Sequence, residues 1–155
     1  MAERRIAVCD LGSNSFRMVV YSADGLRWWR TDEIYEPVRI GAGLARTGRL
    51  STRGIERGLA MVEVFAHFCA AAGIEHIDAV ATSAIRDATN ADAFLSRAAL
   101  PVRVASTVDE ARFGYLAAVN STTLSDGTML DLGGGSLQLV RVTSRHDTEH
   151  GSWPL

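Results

Sequence analysis

Two kinds of hydrophobic pattern alternate along the chain. Residues 5–10 and 16–22 are short apolar runs rich in branched side chains, and Ala23-Asp24-Gly25 is a strong hairpin signal that returns residues 26–35 as a third strand. The chain therefore opens as an antiparallel meander whose first turn lies at residues 12–15. Residues 37–48 are rich in turn formers and lack periodicity, which predicts a loop.

The period then changes. From residue 51 to 72, Ile55, Leu59, Val62, Ala66 and Cys69 recur at three- and four-residue steps, the stripe of a helix that Gly73 is placed to stop. Gly54 and Gly58 each cost roughly 1 kcal/mol of helix propensity, so this helix depends on its packing. Residues 77–81 and 102–105 read as buried strands, and residues 89–99 as a helix capped by Thr89 or Asn90. Residues 107–120 read as a helix with Asp109 and Glu110 in its first turn, where the helix dipole favours acids. Three meander strands followed by helix, strand, helix, strand, helix predict an α/β fold with helices packed on a mixed five-stranded sheet.

Past a linker at residues 121–127 the pattern restarts. Residues 128–131 form a strand, 133–136 a turn and 137–143 a strand, so "VCDLGSNSF" and "MLDLGGGSLQLV" repeat Asp-Leu-Gly and small residues in one strand–turn–strand setting. The remaining residues finish a third strand at most, and no helices follow to cover a second sheet. The expected organisation is one domain over residues 1–122 and the start of another over 123–155.

Composition narrows the class. At 155 residues, 47% hydrophobic and 22% charged, the chain is a globular protein with enough apolar content for a real core. Its net charge of −2 provides no basic field, which excludes nucleic-acid binding through bulk charge. Any anion must be caught locally. No run approaches the ~18 apolar residues of a membrane span, and "MAERRIAVCD" turns from basic to acidic too quickly for a signal peptide. The cytoplasm is the expected location, with no membrane partner. Cys9 and Cys69 lie in apolar segments with no His or Cys at ligand spacing, which reads as two buried free thiols.

The repeated turns carry the candidate chemistry. A tight turn between antiparallel strands exposes successive backbone N–H groups, and glycine lets an oxyanion approach them closely. Gly12, Ser13, Asn14 and Ser15 form the first such turn, and Gly133, Gly134, Gly135 and Ser136 the second, with serine and asparagine side chains as added donors. Asp10 and Asp131 end the preceding strands. They repel phosphate directly but can hold Mg²⁺, or water bound to it, beside one. A plain hairpin needs no run of three glycines, although a hairpin with a polar turn is the competing reading of each copy taken alone.

The stretches "DLGSNSFRMVV", "RIGAGL", "ERGLA", "ATSAIRDATNADAFL", "DEARFGYLAAV", "LDLGGGSLQLV" and "SWPL", in this order along nearly the whole chain, resemble the exopolyphosphatase / guanosine pentaphosphate phosphohydrolase (Ppx/GppA) family. The resemblance implies an actin-like, ribonuclease H-like domain of the sugar kinase, heat-shock-protein and actin superfamily, plus the first strands of a second. It implies a phosphoanhydride hydrolase that holds a terminal phosphoryl group of inorganic polyphosphate or guanosine pentaphosphate between two such domains for attack by water. By the same resemblance both turns supply phosphate donors, Arg86 faces the phosphates, and Glu110 positions or deprotonates the water. The implied cofactor is Mg²⁺, with another divalent ion or K⁺ as alternatives. Local readings compete: Arg86 can pair with Asp87 or Asp92, and Glu110 beside Asp109 can simply favour the helix dipole.

The chain departs from the family in three places. The family motif continues Gly-Gly-Gly-Ser-Thr-Glu, whereas Leu137 and Gln138 stand here; Gln138 keeps the length but not the charge a metal uses. Retained phosphate binding with weaker metal dependence is expected. In "VASTVDEAR" the usual Ser-Gly is missing, and Thr107 is expected to cap the helix. Relatives also continue for roughly another domain, so the expectation is a portion of such an enzyme with little activity by itself. An actin-like kinase and a non-catalytic phosphate- or alarmone-binding module are the other classes. The uncovered apolar face of the second sheet points to pairing with another copy.

Overall fold

Alternation builds the first strand. β1 (Arg4–Leu11) buries Ala7, Cys9 and Leu11 on one face and pairs antiparallel with β2 (Phe16–Asp24), which pairs antiparallel with β3 (Arg27–Glu36). The computed structural model describes residues 4–155, so the signal-peptide reading of the first residues falls partly outside the described residues. Gly25, at φ 62, makes the tight reversal between β2 and β3 that the Asp-Gly pair signals.

The chain divides into two compact units, the first ending at Val104 and the second running Ala105–Leu155. In the first, a one-turn helix α1 (Leu44–Thr47) interrupts the expected loop, and α2 (Thr52–Ala71) follows. Then come β4 (His76–Ala81), α3 (Ser83–Asp87), α4 (Asp92–Leu95) and β5 (Val102–Val104). The sheet order is β3-β2-β1-β4-β5, with β4 and β5 parallel to β1. Direct turns can only reverse the chain; the α2 crossover brings it back parallel. This is the expected mixed five-stranded sheet.

α2 lies where its stripe predicts. Ile55, Val62, Phe65 and Cys69 pack on Ala7, Cys9, Leu11, Met18 and Val20, and Phe16 meets Phe94 edge-on with ring centroids 6.1 Å apart. Each such large side chain stabilises the fold by ~1.5–3 kcal/mol when fully buried. The helix glycine at 58 has a packing reason: a Cβ there would sit 2.9 Å from Phe94 Cε2 and 3.1 Å from Ile40 Cδ1. Ser51 caps the start by accepting from the Gly54 amide, and Gly73 at φ 66 ends it. Both cysteines are free and buried, with Cys69 Sγ 3.6 Å from Met18 Sδ.

Of the helix expected over 89–99 only the four-residue α4 forms, and a further short helix, α3, precedes that span. Thr89 and Asn90 do not cap a helix; Thr89 donates to the Gly48 carbonyl, and Asn90 exchanges two hydrogen bonds with the backbone of Leu50. Those bonds between distant segments hold residues 89–90 out of helix and tie them to the loop before α2.

In the second unit α5 (Thr107–Ser121) covers a three-stranded sheet of order β6-β7-β8, made of β6 (Gly127–Leu132), β7 (Ser136–Thr143) and β8 (His146–Pro154). Ala111, Tyr115 and Val119 pack on Met129, Val140 and Val142. α5 thus belongs to the second compact unit, whereas the sequence reading ended the first domain at residue 122. Ser106, not Thr107, is the N-cap: its hydroxyl accepts from the Asp109 amide while the Asp109 carboxylate accepts from Ser106 in return. The β7–β8 turn holds Ser144 and Arg145 at φ 52 and 65, and Arg145 is pinned because its carbonyl accepts from the Tyr115 hydroxyl and its guanidinium donates to the Val119 carbonyl. The face opposite α5 leaves Leu130, Leu132 and Trp153 in solvent.

Candidate functional site

The two repeated turns are built alike. In the first, the Gly12 amide donates to the Ser15 carbonyl at 3.0 Å; in the second, the Gly133 amide donates to the Ser136 carbonyl at 2.9 Å. A Cβ on Gly12 would stand 3.0 Å from the Ser15 oxygen, and one on Gly133 3.3 Å from the Ser136 oxygen. Glycine is what lets each turn close this tightly.

The first turn is anchored from below. Ser13 is buried, its hydroxyl 2.8 Å from that of Ser83 on α3, while its carbonyl accepts from Gly41 at 3.0 Å. The Asn14 carbonyl accepts from Arg39 at 2.7 Å. With both carbonyls turned into the protein, the amides of Ser13 and Asn14 make no hydrogen bond among the described residues. Such unpaired N–H groups suit an oxyanion. Asp10 stands beside the turn, its Oδ1 4.0 Å from where a Gly12 Cβ would lie.

Arg86 comes to the same neighbourhood through its helix. α3 starts with Ser83, which touches Ser13, and Ala84, which packs where a Cβ on Gly41 would be 3.2 Å away. The guanidinium itself pairs with Asp87, Nε to Oδ1 at 3.0 Å. One of the two local pairs open to it is therefore formed, on a side chain whose helix touches the first turn.

The second unit gathers the other candidates. Asp131 and Gln138 are direct partners across β6 and β7, on the face that α5 covers. Asp131 Oδ2 lies 3.4 Å from the Cβ position of Gly114, and Glu110 is half-buried one helical turn before that glycine. Buried Gln138 donates from Nε2 to Ser136 Oγ at 2.8 Å. The amides of Gly134 and Gly135 make no hydrogen bond among the described residues. Asp109, by contrast, is committed to the α5 cap.

No three His, Cys, Asp or Glu side chains group as a metal site among the described residues. Asp131 beside Gln138 offers one carboxylate and one amide oxygen, a set that fits Mg²⁺ where phosphate oxygens and water supply the other ligands.

A model of the Ppx/GppA phosphatase family matches residues 19–155. The chain belongs to that family. Among solved structures, the Aquifex aeolicus Ppx/GppA family member is 30% identical with a TM-score of 0.84, the match covering 99% of this chain and 52% of that one. An exopolyphosphatase-like protein is 25% identical with a TM-score of 0.89, covering 100% and 52%. An exopolyphosphatase from Cytophaga hutchinsonii, at 23% identity and a TM-score of 0.87, covers 98% and 51% and shows the shared fold. The chain spans about half the length of these structures, and its α/β architecture is the actin-like one of the Ppx/GppA proteins.

Two residues of this Ppx/GppA chain were not legible as site residues. Ser83 is an ordinary serine in sequence, and only the fold brings its hydroxyl to Ser13. Arg39 sits inside "RIGAGL", a stretch noticed for its resemblance, but its bond to the turn and its φ of 53 are properties of the folded backbone.

Proposed function

We propose that this chain is the phosphate-holding portion of a phosphoanhydride hydrolase acting on inorganic polyphosphate or guanosine pentaphosphate, with little activity by itself. The observation that carries the reading is the duplicated turn, closed by the same glycine-to-serine bond at 3.0 and 2.9 Å and displaying amides with no partner among the described residues. Membership of the Ppx/GppA phosphatase family supports it.

In this reading Gly12, Ser13, Asn14 and Ser15, and Gly133, Gly134, Gly135 and Ser136, donate to phosphate oxygens, with Arg86 neutralising charge. Glu110 orients a water and takes its proton as the oxygen bonds to the terminal phosphorus. The bridging P–O bond breaks, releasing orthophosphate and a chain shorter by one phosphate. Positioning and charge neutralisation are what such transfer needs. Asp131 would hold Mg²⁺, with the Gln138 amide oxygen beside it and Asp10 as the further carboxylate; bound Mg²⁺ supplies neutralisation of the phosphate charge.

The test is orthophosphate release from polyphosphate by the purified chain and by Glu110→Ala, alongside phosphate binding by both. Slow release that disappears in the variant while binding persists supports the hydrolase. Equal release from both removes Glu110 from catalysis and leaves a phosphate-binding module.

A further inference from the structure

The segment from residue 37 to 58 carries Arg39, Arg46, Arg49, Arg53 and Arg57 against the single acid Glu56, in a chain whose net charge is −2. Glu56 does not offset them, because it is paired with Arg97 at 2.8 Å. All five arginines are exposed, and none forms an ion pair among the described residues. Several arginines elsewhere in this unit pair: Arg5 with Asp32, Arg17 with Glu33, Arg103 with Asp78. A local excess of unpaired guanidinium groups repels itself, and it is favoured where an anion comes to it.

The backbone beneath these side chains is fixed. Val38, Ile40 and Leu50 are buried, so the loop is anchored in the core while its arginines stay in solvent. The Arg39 amide is bonded to Asn14 of the first turn, in a left-handed conformation (φ 53) that a side chain as large as arginine adopts at some cost. Arg49 lies between Gly48, whose carbonyl takes two bonds from Thr89, and Leu50, whose backbone exchanges two with Asn90. Residues 89–90 in turn follow closely on Arg86. One bonded framework therefore carries the turn, Arg39, Arg49 and Arg86.

We propose that Arg39, Arg46 and Arg49 form a track for an extended polyanion, receiving the inner phosphates of an inorganic polyphosphate whose end sits at the turn of Gly12 and Ser15. The proposal rests on the reading of that turn as a phosphate site and selects a long phosphate chain as the ligand of this surface. Residues 37–50 contain no aromatic side chain to form a pocket for a guanine base, so what this surface offers along its length is charge. The repeated charge recognises a repeated charge. Guanidinium groups also match phosphate oxygens with two parallel donors.

The experiment compares equilibrium binding of long-chain polyphosphate and of tripolyphosphate to the full 155-residue chain and to Arg46→Gln, Arg49→Gln, their double variant, and Arg39→Asn, since asparagine tolerates the left-handed backbone. Arg27→Gln, the same charge change on the β2–β3 hairpin, is the control. The unchanged chain should prefer the long polymer. The double variant should lose about tenfold of long-chain affinity with tripolyphosphate changed less than about twofold, and its log affinity against log salt should flatten by roughly one per arginine removed. Arg39→Asn should lose long-chain affinity without loss of thermal stability. Losses equal for both ligands, or equal in the Arg27→Gln control, overturn the track. Tripolyphosphate binding with no gain from length overturns the track and leaves the turn as a phosphate site, whereas binding of neither ligand overturns both.

Discussion

Gln138 donates its side-chain amide to the Ser136 hydroxyl at 2.8 Å, inside the second glycine turn. The direction of that bond matters. Because the amide gives the proton, the Ser136 hydroxyl keeps its own proton to give to a phosphate oxygen; a glutamate at this position would take it.

Replacing Gln138 with Glu is therefore expected to exchange one function for another. Phosphate affinity in the presence of a chelator should fall roughly tenfold, through the lost donor and the added like charge. Added Mg²⁺ should restore it more than in the unchanged chain, since two carboxylates would then face each other from β6 and β7. Calorimetric titration of phosphate with and without Mg²⁺ checks both, and an unchanged response to Mg²⁺ argues against the pairing of Asp131 with residue 138 as a metal site.

The adjacent acids of α5 should separate cleanly. Asp109 and Ser106 cap the helix reciprocally, so Ser106→Ala or Asp109→Ala should each cost about 1 kcal/mol in urea unfolding while any phosphate release is kept. Glu110→Ala should do the reverse. A Glu110→Ala chain that unfolds more easily and releases phosphate at the same rate would make Glu110 a structural acid.

Two helix glycines should answer differently to alanine. At Gly58 the new methyl meets Phe94 at 2.9 Å and Ile40 at 3.1 Å in the core, and overpacking of ~1–3 kcal/mol outweighs the ~1 kcal/mol gain in helix propensity. At Gly114 the nearest atom, 2.8 Å away, is the flexible end of Met129, which can swing aside. Denaturation midpoints should fall for Gly58→Ala and hold or rise for Gly114→Ala.

Alkaline pH should weaken the first unit through a thiol. Burial, with Cys69 and Asp78 nearby, pushes the Cys9 thiol up from 9.0 to about 12, and burial raises that of Cys69 as well. The unfolded chain ionises first, so this contribution is complete below about pH 9 and is lost as pH rises toward about 12. Unfolding midpoints measured across that range should fall less steeply for Cys9→Ala. Native protein at neutral pH should resist alkylation at both thiols.

The sequence by itself determined the succession of the five strands along the chain, the α2 stripe and the doubled turn. Local chemistry governs these: branched alternating residues make strands, Asp24-Gly25 reverses the chain, and Ile55 to Cys69 repeat at the helical period. It also exposed the substitution at Gln138, which needs only a motif to compare with. Tertiary structure decided the rest. Thr89 and Asn90 look like caps until Gly48 and Leu50 claim their side chains, so the expected helix over 89–99 shrinks to α4. Ser106 rather than Thr107 caps α5 because Asp109 is in reach to answer it, and α5 joins the second unit because Met129, Val140 and Val142 offer its apolar side a surface. The meeting of Ser13 with Ser83, and of Arg39 with Asn14, joins residues far apart in the chain. Hydrogen bonds of that kind follow from packing between elements, where no local spacing records them.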